Sequence, residues 1–481
     1  MSVPESSFPA EEFATDRAVK FMLWATFGMI TVQVILMIAA QVHLFGDGSA
    51  YLYWLLGNRR PLEIAFSRNF ASIVTQLPVV VALRAGVTDI GIASNLLGAG
   101  LYLPLIASLG LCIWIARERP ELVLFPLLSA TTVTSNTDFF IISESNVLVV
   151  LFWPLLFLLT LGREWSRGTF TLACVLAAPT LLCYESMVFF GPILLGLAVW
   201  RAREMHRTGD RARTLGFLGL AVYFAAGIAI AARSIINPRD ERNLQLFLDS
   251  TQFYRDAQGH LHWLGILSFA ALGVIAAALL VRRWPALVGR AIIVAFVVGC
   301  AVAAIAPALW PSSFAPILHS RARVLNAYLP PLPGVAFLVA WRRPPPMRRW
   351  KYAFIVVAVL AAAQLTWHAL ATRIWANYLD IYRAEVASRE GLVPYEASVL
   401  SRESVGGRPV AVMNTSWTMP TMSILMSPGS RVQAMIRSPL PQEWQPFYPE
   451  RIERLPDLSR YGITFDEYIA AVRVAQRQSA P

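Results

Sequence analysis

Charge is what this sequence has least of. Only 15% of its 481 residues are Asp, Glu, Lys or Arg, against 56% hydrophobic, whereas a soluble globular chain carries about 25% charged residues. Repeated apolar runs of about 20 residues and a mean hydropathy of +0.53 complete the pattern. It excludes an ordinary soluble domain and reads as an α-helical polytopic membrane protein. Cysteine is scarce as well. Cys112, Cys174, Cys183 and Cys300 all lie in or beside apolar segments. They show neither metal-ligand spacing nor a disulfide framework, and read as small buried hydrophobes. A Walker loop, a Rossmann glycine pattern and a nucleophile elbow are all missing, which argues against a soluble nucleotide-sugar enzyme. No basic, aromatic-interleaved soluble stretch supports nucleic-acid binding. Residues 1–20 are polar and mixed in charge, with no small-residue cleavage site after the first apolar run, so that run is expected to stay as a signal anchor.

What the sequence does have is about eleven apolar segments, at 21–42, 90–116, 121–135, 144–162, 169–183, 185–201, 214–232, 262–281, 286–308, 322–341 and 351–371. The segments at 121–135 and 169–183 are short for a span and are expected to be broken, tilted or partly re-entrant. The net charge of +11 sits largely in the short connections. With the N-terminus inside, the cytoplasmic loops hold Arg117 and Arg119, then Arg163 and Arg167, then Arg201 to Arg213, then Arg282 and Arg283, and last the run from Arg342 to Lys351. All five obey the positive-inside rule. The stretch from Phe70 to Leu83 is apolar too, but counting it as a span would invert every later loop. Residues 43–88 are therefore read as a first extracytoplasmic loop whose helices lie along the interface. The organisation expected is a cytoplasmic segment 1–20, a transmembrane domain 21–372 and an extracytoplasmic domain 373–481. That last region alternates apolar residues between Pro and Gly punctuation, as in RPVAVMNTSW (408–417), and reads as a small α/β domain.

The residues that could carry chemistry fall on the side away from the arginines. The first outside loop begins HLFGDGSAYLYWLL (43–56). Asp47, between two glycines, reads either as a general base or cation ligand or as an acidic turn residue beside an aromatic belt. Asp138 and Glu144 read either as acidic contacts to a substrate or cation or as part of a helix start capped by Ser143. Glu185 follows Tyr184 at another helix start, with the same two readings. His319, Arg321 and Arg323 stand outside, against the positive-inside rule, and either bind phosphate oxygens or snorkel to headgroups. The loop 233–262 is nearly charge-balanced and reads as a solvated loop or as a lid in which Arg239 or Arg242 reaches phosphate. His260 and His262 lack an evident third zinc ligand. Trp417, Trp444, Phe447 and Tyr448 read as a small aromatic core or a sugar-stacking surface.

Taken in order, these segments resemble the GT-C superfamily of membrane glycosyltransferases, in particular the protein mannosyltransferase and aminoarabinose transferase group. The resemblance rests on Asp47 after the first span, SNTDFFIISESNVLVVLFWPLLFLL (135–159), LLCYESMVFFGPILL (181–195) and HSRARVLNAYLPPLPGVAFL (319–338). It covers about residues 20–340, and each motif is short. The resemblance implies a GT-C-like fold and a polyprenyl-phosphate-sugar donor. It implies Asp47 as catalytic base or acceptor-binding group and the basic residues His319, Arg321 and Arg323 as the donor-phosphate site. Beside it, Asp138, Glu144 and Glu185 are expected as acceptor or cation contacts and Arg239 as a further donor-phosphate contact. The family often has a paired acidic motif where this chain has one carboxylate, with Glu63 next, so a divalent cation stays open.

The expectation is an inverting hexosyl- or pentosyltransferase of the plasma (inner) membrane. It would act on the extracytoplasmic face upon a cell-envelope glycan, lipid or protein acceptor. The alternatives are a transporter or flippase, a polysaccharide polymerase or ligase, and a non-catalytic envelope assembly protein. Sugar, acceptor and oligomeric state are not legible.

Overall fold

The structure is a computed structural model that describes residues 10–62, 66–134, 145–162, 165–236, 263–280, 286–309, 331–388, 391–394, 398–401, 404–405, 408–409, 419–427, 433–436 and 456–466. Leu, Ile, Val, Ala and Phe dominate its long segments, and in that composition the backbone satisfies its own polar groups by forming helices. They are α1 (Ala10–Ala39), α2 (Asp47–Asn58), α3 (Asn69–Arg84), α4 (Ile90–Ile115), α5 (Leu124–Ser129), α6 (Ser145–Leu161) and α7 (Arg167–Ala177). After these come α8 (Met187–Arg207), α9 (Arg211–Ile236), α10 (Trp263–Leu280), α11 (Ala286–Leu309), α12 (Pro331–Arg342), α13 (Met347–Ala387) and α14 (Met419–Leu425). Among the described residues, five segments are long and apolar enough to cross a membrane: Asp16–Ala39, Phe66–Arg84, Ile90–Ile115, Arg211–Ile236 and Met347–Ala387. Shorter apolar helices fill out the bundle. The chain is a membrane-embedded α-helical protein.

Both segments read as short are broken. The first passes from a 3-10 turn (Pro120–Val123) through α5 into a π turn (Ala130–Thr134), and the second ends in a 3-10 turn (Ala178–Leu182). Pro120, Pro126 and Pro179 remove backbone donors there, and Thr131 and Thr132 turn their hydroxyls back onto the carbonyls of Leu127 and Leu128. Of the expected segment 322–341, the described part is α12. The last span is much longer than the 351–371 expected, since α13 runs on to Ala387. Among the described residues of the C-terminal region, four short strands pair as β1 (Gly391–Pro394) parallel to β4 (Gln433–Ile436) and β2 (Ser404–Val405) antiparallel to β3 (Arg408–Pro409).

Side-chain contacts give the bundle two distinct ends. Gln33 of α1 donates to the Ala361 carbonyl of α13 at 3.2 Å, and further along Trp375 donates to the Gln41 carbonyl at 3.3 Å. The two helices therefore run parallel and start at the same end. At that end Arg119 donates to the Trp341 carbonyl at 3.3 Å, and Trp200 packs on Trp341 at 5.6 Å. Arg201 is buried and donates to the carbonyls of Leu159 (2.7 Å), Thr160 (3.0 Å) and Gly162 (2.9 Å). It satisfies acceptors that the end of α6 leaves open. The ends of α4, α6, α8 and α12, with Arg119 and Arg201, thus gather at one end. Above them the core is aromatic, with Phe125 between Phe337 and Trp350, and Phe152 against Phe190. Close helix crossings rest on glycine. A Cβ on Gly100 of α4 would lie 1.9 Å from the Thr75 carbonyl of α3, and one on Gly191 of α8 would lie 2.4 Å from Ile228 of α9.

Phe66–Arg84 is long and apolar enough to cross a membrane, yet both of its ends bond to groups far from the arginine-rich end. Arg68 pairs with Glu185, beside the start of α8, whereas Arg201 lies near that helix's other end. Arg84 donates to the Arg59 carbonyl at the end of α2, next to the connection into α4. From the connection into α4 the helix packs back along that helix, and Thr75 meets Gly100 ten residues into α4.

Candidate functional site

The chain leaves α1 through a strained turn. Gln41 adopts φ 55°, ψ 34°, a left-handed conformation unusual outside glycine. Its carbonyl is held by Trp375 and its side-chain oxygen by Arg383 at 3.1 Å. A 3-10 turn follows (Val42–Leu44), then Gly46 at φ 64°, ψ −133°, then Asp47 as the first residue of α2. A side chain fits poorly at that φ and ψ, so Gly46 is required by the backbone. Gly48 is buried one residue on. Asp47 is half-buried and sits in the first turn, where the helix dipole favours a carboxylate. The C-terminal segments clamp α2. Ser49 lies 3.4 Å from Thr421 of α14, Tyr382 donates to the Met419 carbonyl at 3.0 Å, and Tyr461 donates to the Leu56 carbonyl at 3.2 Å.

His43 received no role from the sequence, although it opens the same motif. It is fully buried, with its Nε2 2.8 Å from the Ser94 hydroxyl of α4 and its ring edge-on to Tyr102. A Cβ on Gly98 would stand 2.5 Å from its Nδ1, so the imidazole occupies a groove that only glycine leaves open. Burial pushes its pKa down to about 3, against the opposing hydrogen bond to Ser94, and the ring is neutral. The signal was Ser94 and Gly98 four apart on one face of α4, which points to a close contact without naming what fills it.

Glu185 is anchored. Its Oε1 accepts from the hydroxyls of Ser67 (2.9 Å) and Ser234 (3.2 Å), and Arg68 Nε reaches both carboxylate oxygens at 3.2 and 3.3 Å. The Arg68 guanidinium also lies 4.6 Å over the Tyr184 ring. Burial raises the carboxyl pKa, but the Arg68 charge and the hydrogen bonds outweigh it and hold the group below its ordinary value. The two acids share the far end of the bundle but stand on different elements, Asp47 at the start of α2 and Glu185 between the starts of α3 and α8 and the end of α9.

Asp138, Glu144, Arg239, His319, Arg321 and Arg323 lie outside the described residues, as do Glu63, His260, His262, Trp417, Trp444, Phe447 and Tyr448. Among the described residues no group of three His, Cys, Asp or Glu side chains could hold a metal ion. None of the four cysteines forms a disulfide, and Cys112, Cys183 and Cys300 are buried. Two cavities among the described residues lie near neither acid. One of about 480 Å³ and its neighbour of about 460 Å³ are at the arginine-rich end. Chemically, the far end offers a carboxylate on a fixed turn at the edge of an apolar bundle, suited to taking a proton from a hydroxyl. Compared with family models, with curated proteins and with solved structures, the chain matches none.

Proposed function

We propose that this protein is an integral-membrane inverting glycosyltransferase of GT-C-like fold, with about eleven spans and its arginine-rich end in the cytoplasm. It transfers a sugar from a polyprenyl-phosphate donor to a cell-envelope glycan, lipid or protein on the opposite face of the plasma membrane. The observation that carries the reading is Asp47. A carboxylate begins α2 at the end opposite the arginines, fixed by a glycine-only turn below and by C-terminal segments above. Such rigidity suits a general base, which must meet its proton at hydrogen-bond distance.

In this mechanism Asp47 removes the acceptor hydroxyl's proton. The oxygen attacks the anomeric carbon in line as the bond to the lipid phosphate breaks, and one displacement inverts the centre. The departing phosphate is stabilised by Arg321 and Arg323, with His319 and Arg239 as further contacts. Asp138 and Glu144 serve the acceptor or a divalent cation. Glu185 has a different part, because binding an acceptor would first have to break its pair with Arg68. It ties the start of α3 to the start of α8 and to Ser234 of α9.

The test is transfer of labelled sugar from polyprenyl-phosphate donors in membranes, with the intact protein and with Asp47→Asn. Loss of transfer by about 10²- to 10⁴-fold, with normal insertion, is expected of a missing base. Unchanged transfer moves the base to Asp138 or Glu144. One observation favours a second reading, a flippase for lipid-linked sugars. Gln364, His368 and Thr372 form a buried polar line along α13, facing the buried Gln33 of α1 and Thr131. Polar groups within spans mark substrate paths. A protein that moves fluorescent lipid-linked sugar across vesicles and transfers none of it is a flippase.

A further inference from the structure

The larger cavity lies where three helix ends meet: α4 stops at Ile115, α6 stops at Leu161 and α7 starts at Arg167. Its lining is of two kinds, apolar from Trp114, Leu158 and Leu161, polar from Arg117, Ser166 and Thr169. Three arginines around it are used differently. Arg201 is saturated by three carbonyls and by Glu204 at 2.7 Å. Arg119 pairs with Glu121 at 3.0 Å and bonds the Trp341 carbonyl. Arg117 is exposed and lies 5.8 Å over the ring of Trp114, with no carboxylate paired to it among the described residues. Its fork of N–H donors suits phosphate. Ser166 caps α7, with its oxygen 3.1 Å from the Thr169 nitrogen and 3.0 Å from the Thr169 hydroxyl, so the positive end of the α7 dipole also faces this region. Among the described residues one acid, Glu118, lines the cavity, with Arg117 and Arg119.

We propose that this cavity binds the phosphate of an anionic phospholipid, with Arg117 and the start of α7 on the phosphate and with Trp114, Leu158 and Leu161 along the glycerol and the first acyl carbons. Three features point to a lipid rather than a soluble anion. The cavity sits where apolar helices end, which is headgroup depth. Trp114 is 56% exposed at that level, as in an aromatic belt. Half of the lining offers a soluble phosphate nothing, whereas basic pockets between helix ends hold anionic headgroups. A volume of about 480 Å³ accommodates a headgroup with its glycerol. The site is independent of the chemistry proposed for Asp47 and lies at the other end of the bundle.

The experiment is native mass spectrometry of the full chain in mild detergent, exchanged against phosphatidylglycerol or phosphatidylcholine. Wild type should retain phosphatidylglycerol about tenfold more strongly, the scale of one charge-assisted contact. Arg117→Glu should abolish that preference and Arg117→Lys should keep part of it. Ser166→Asp gives an independent check, because Asp caps a helix as well as Ser does while repelling an anion, and it should abolish the preference with the melting temperature intact. Displacement of the lipid by millimolar inorganic phosphate would confirm the anion site and assign a soluble source. No displacement assigns the lipid. Equal retention of both lipids by wild type, or undiminished preference in Arg117→Glu and Ser166→Asp, overturns the proposal.

Discussion

The two ends of the bundle hold charge in opposite ways. At the arginine-rich end α4, α6, α8 and α12 terminate, and cations meet open carbonyls: Arg119 on Trp341, Arg201 on Leu159, Thr160 and Gly162. At the far end helices begin, and acids meet them. Asp47 starts α2, Asp89 accepts from the Ile92 nitrogen to cap α4, and Glu185 stands just before α8. Helix dipoles favour this arrangement at both ends. The sorting that reads as membrane topology in the sequence is therefore also a packing device. A charge that closes a helix end and a charge that does chemistry look alike in sequence, and partners tell them apart.

The comparison breaks first at Asp47 and Arg201. Asp47→Asn should remove about 10²- to 10⁴-fold of transfer activity and leave melting in detergent nearly unchanged. Arg201→Ala should do the reverse. It strands buried carbonyls and costs about 2–4 kcal/mol, through loss of hydrogen bonds to a charged group, while turnover per folded molecule holds. Two variants that each lose activity and stability together would show that the ends do not divide function from framework. The next effect comes from Gly98→Val. The new side chain must displace His43, and overpacking of this kind costs about 1–3 kcal/mol. Because His43 fixes the turn that carries Asp47, transfer should fall alongside the melting temperature.

His43 also marks how far the sequence can be read. The apolar runs at 21–42, 90–116 and 351–371 announce α1, α4 and α13, because a helix hydrophobic on most faces needs no partner to be recognised. The extra length of α13 was hidden. Past Ala371 its composition turns mixed, and it stays helical because Trp375, Tyr378 and Tyr382 are buried, with Trp375 against Phe45 from the far start of the chain and Tyr382 on the Met419 carbonyl. Asp47 was legible as a lone acid between glycines, but not the reason for Gly46. His43 with Gly98 and Glu185 with Arg68, Ser67 and Ser234 were not legible at all, since each contact is tertiary and its residues are ordinary where they stand.

Acid should separate these two contacts by pH. His43 is neutral in the fold at a pKa of about 3, against 6.5 for the unbound group, so the unfolded state binds more protons between those values. Stability should fall as pH drops below about 6.5, and His43→Gln should flatten that slope. Glu185 has the opposite shift, depressed in the fold from 4.5. Its contribution is present above that value and is lost as pH falls further, so the advantage of wild type over Glu185→Gln should persist at pH 6 and vanish in stronger acid. Melting curves of the two variants across pH check both windows. A common onset for both would mean that neither group titrates in the contact assigned to it.

The smallest effect is at Gln41, where two contributions oppose. The side chain accepts from Arg383, which is 48% exposed and also pairs with Asp380, so this bond contributes no more than about 1 kcal/mol. The backbone at φ 55° costs a non-glycine residue about 1–2 kcal/mol. Gln41→Ala removes the bond and keeps the strain, so its melting temperature should drop slightly. Gln41→Gly removes both, and should match or exceed wild type. The gap between the two variants measures the strain alone. A glycine variant no more stable than the alanine one would mean that the turn below Asp47 relaxes, and that the rigidity assigned to Asp47 comes instead from the clamp of Thr421, Tyr461 and Met419 above it.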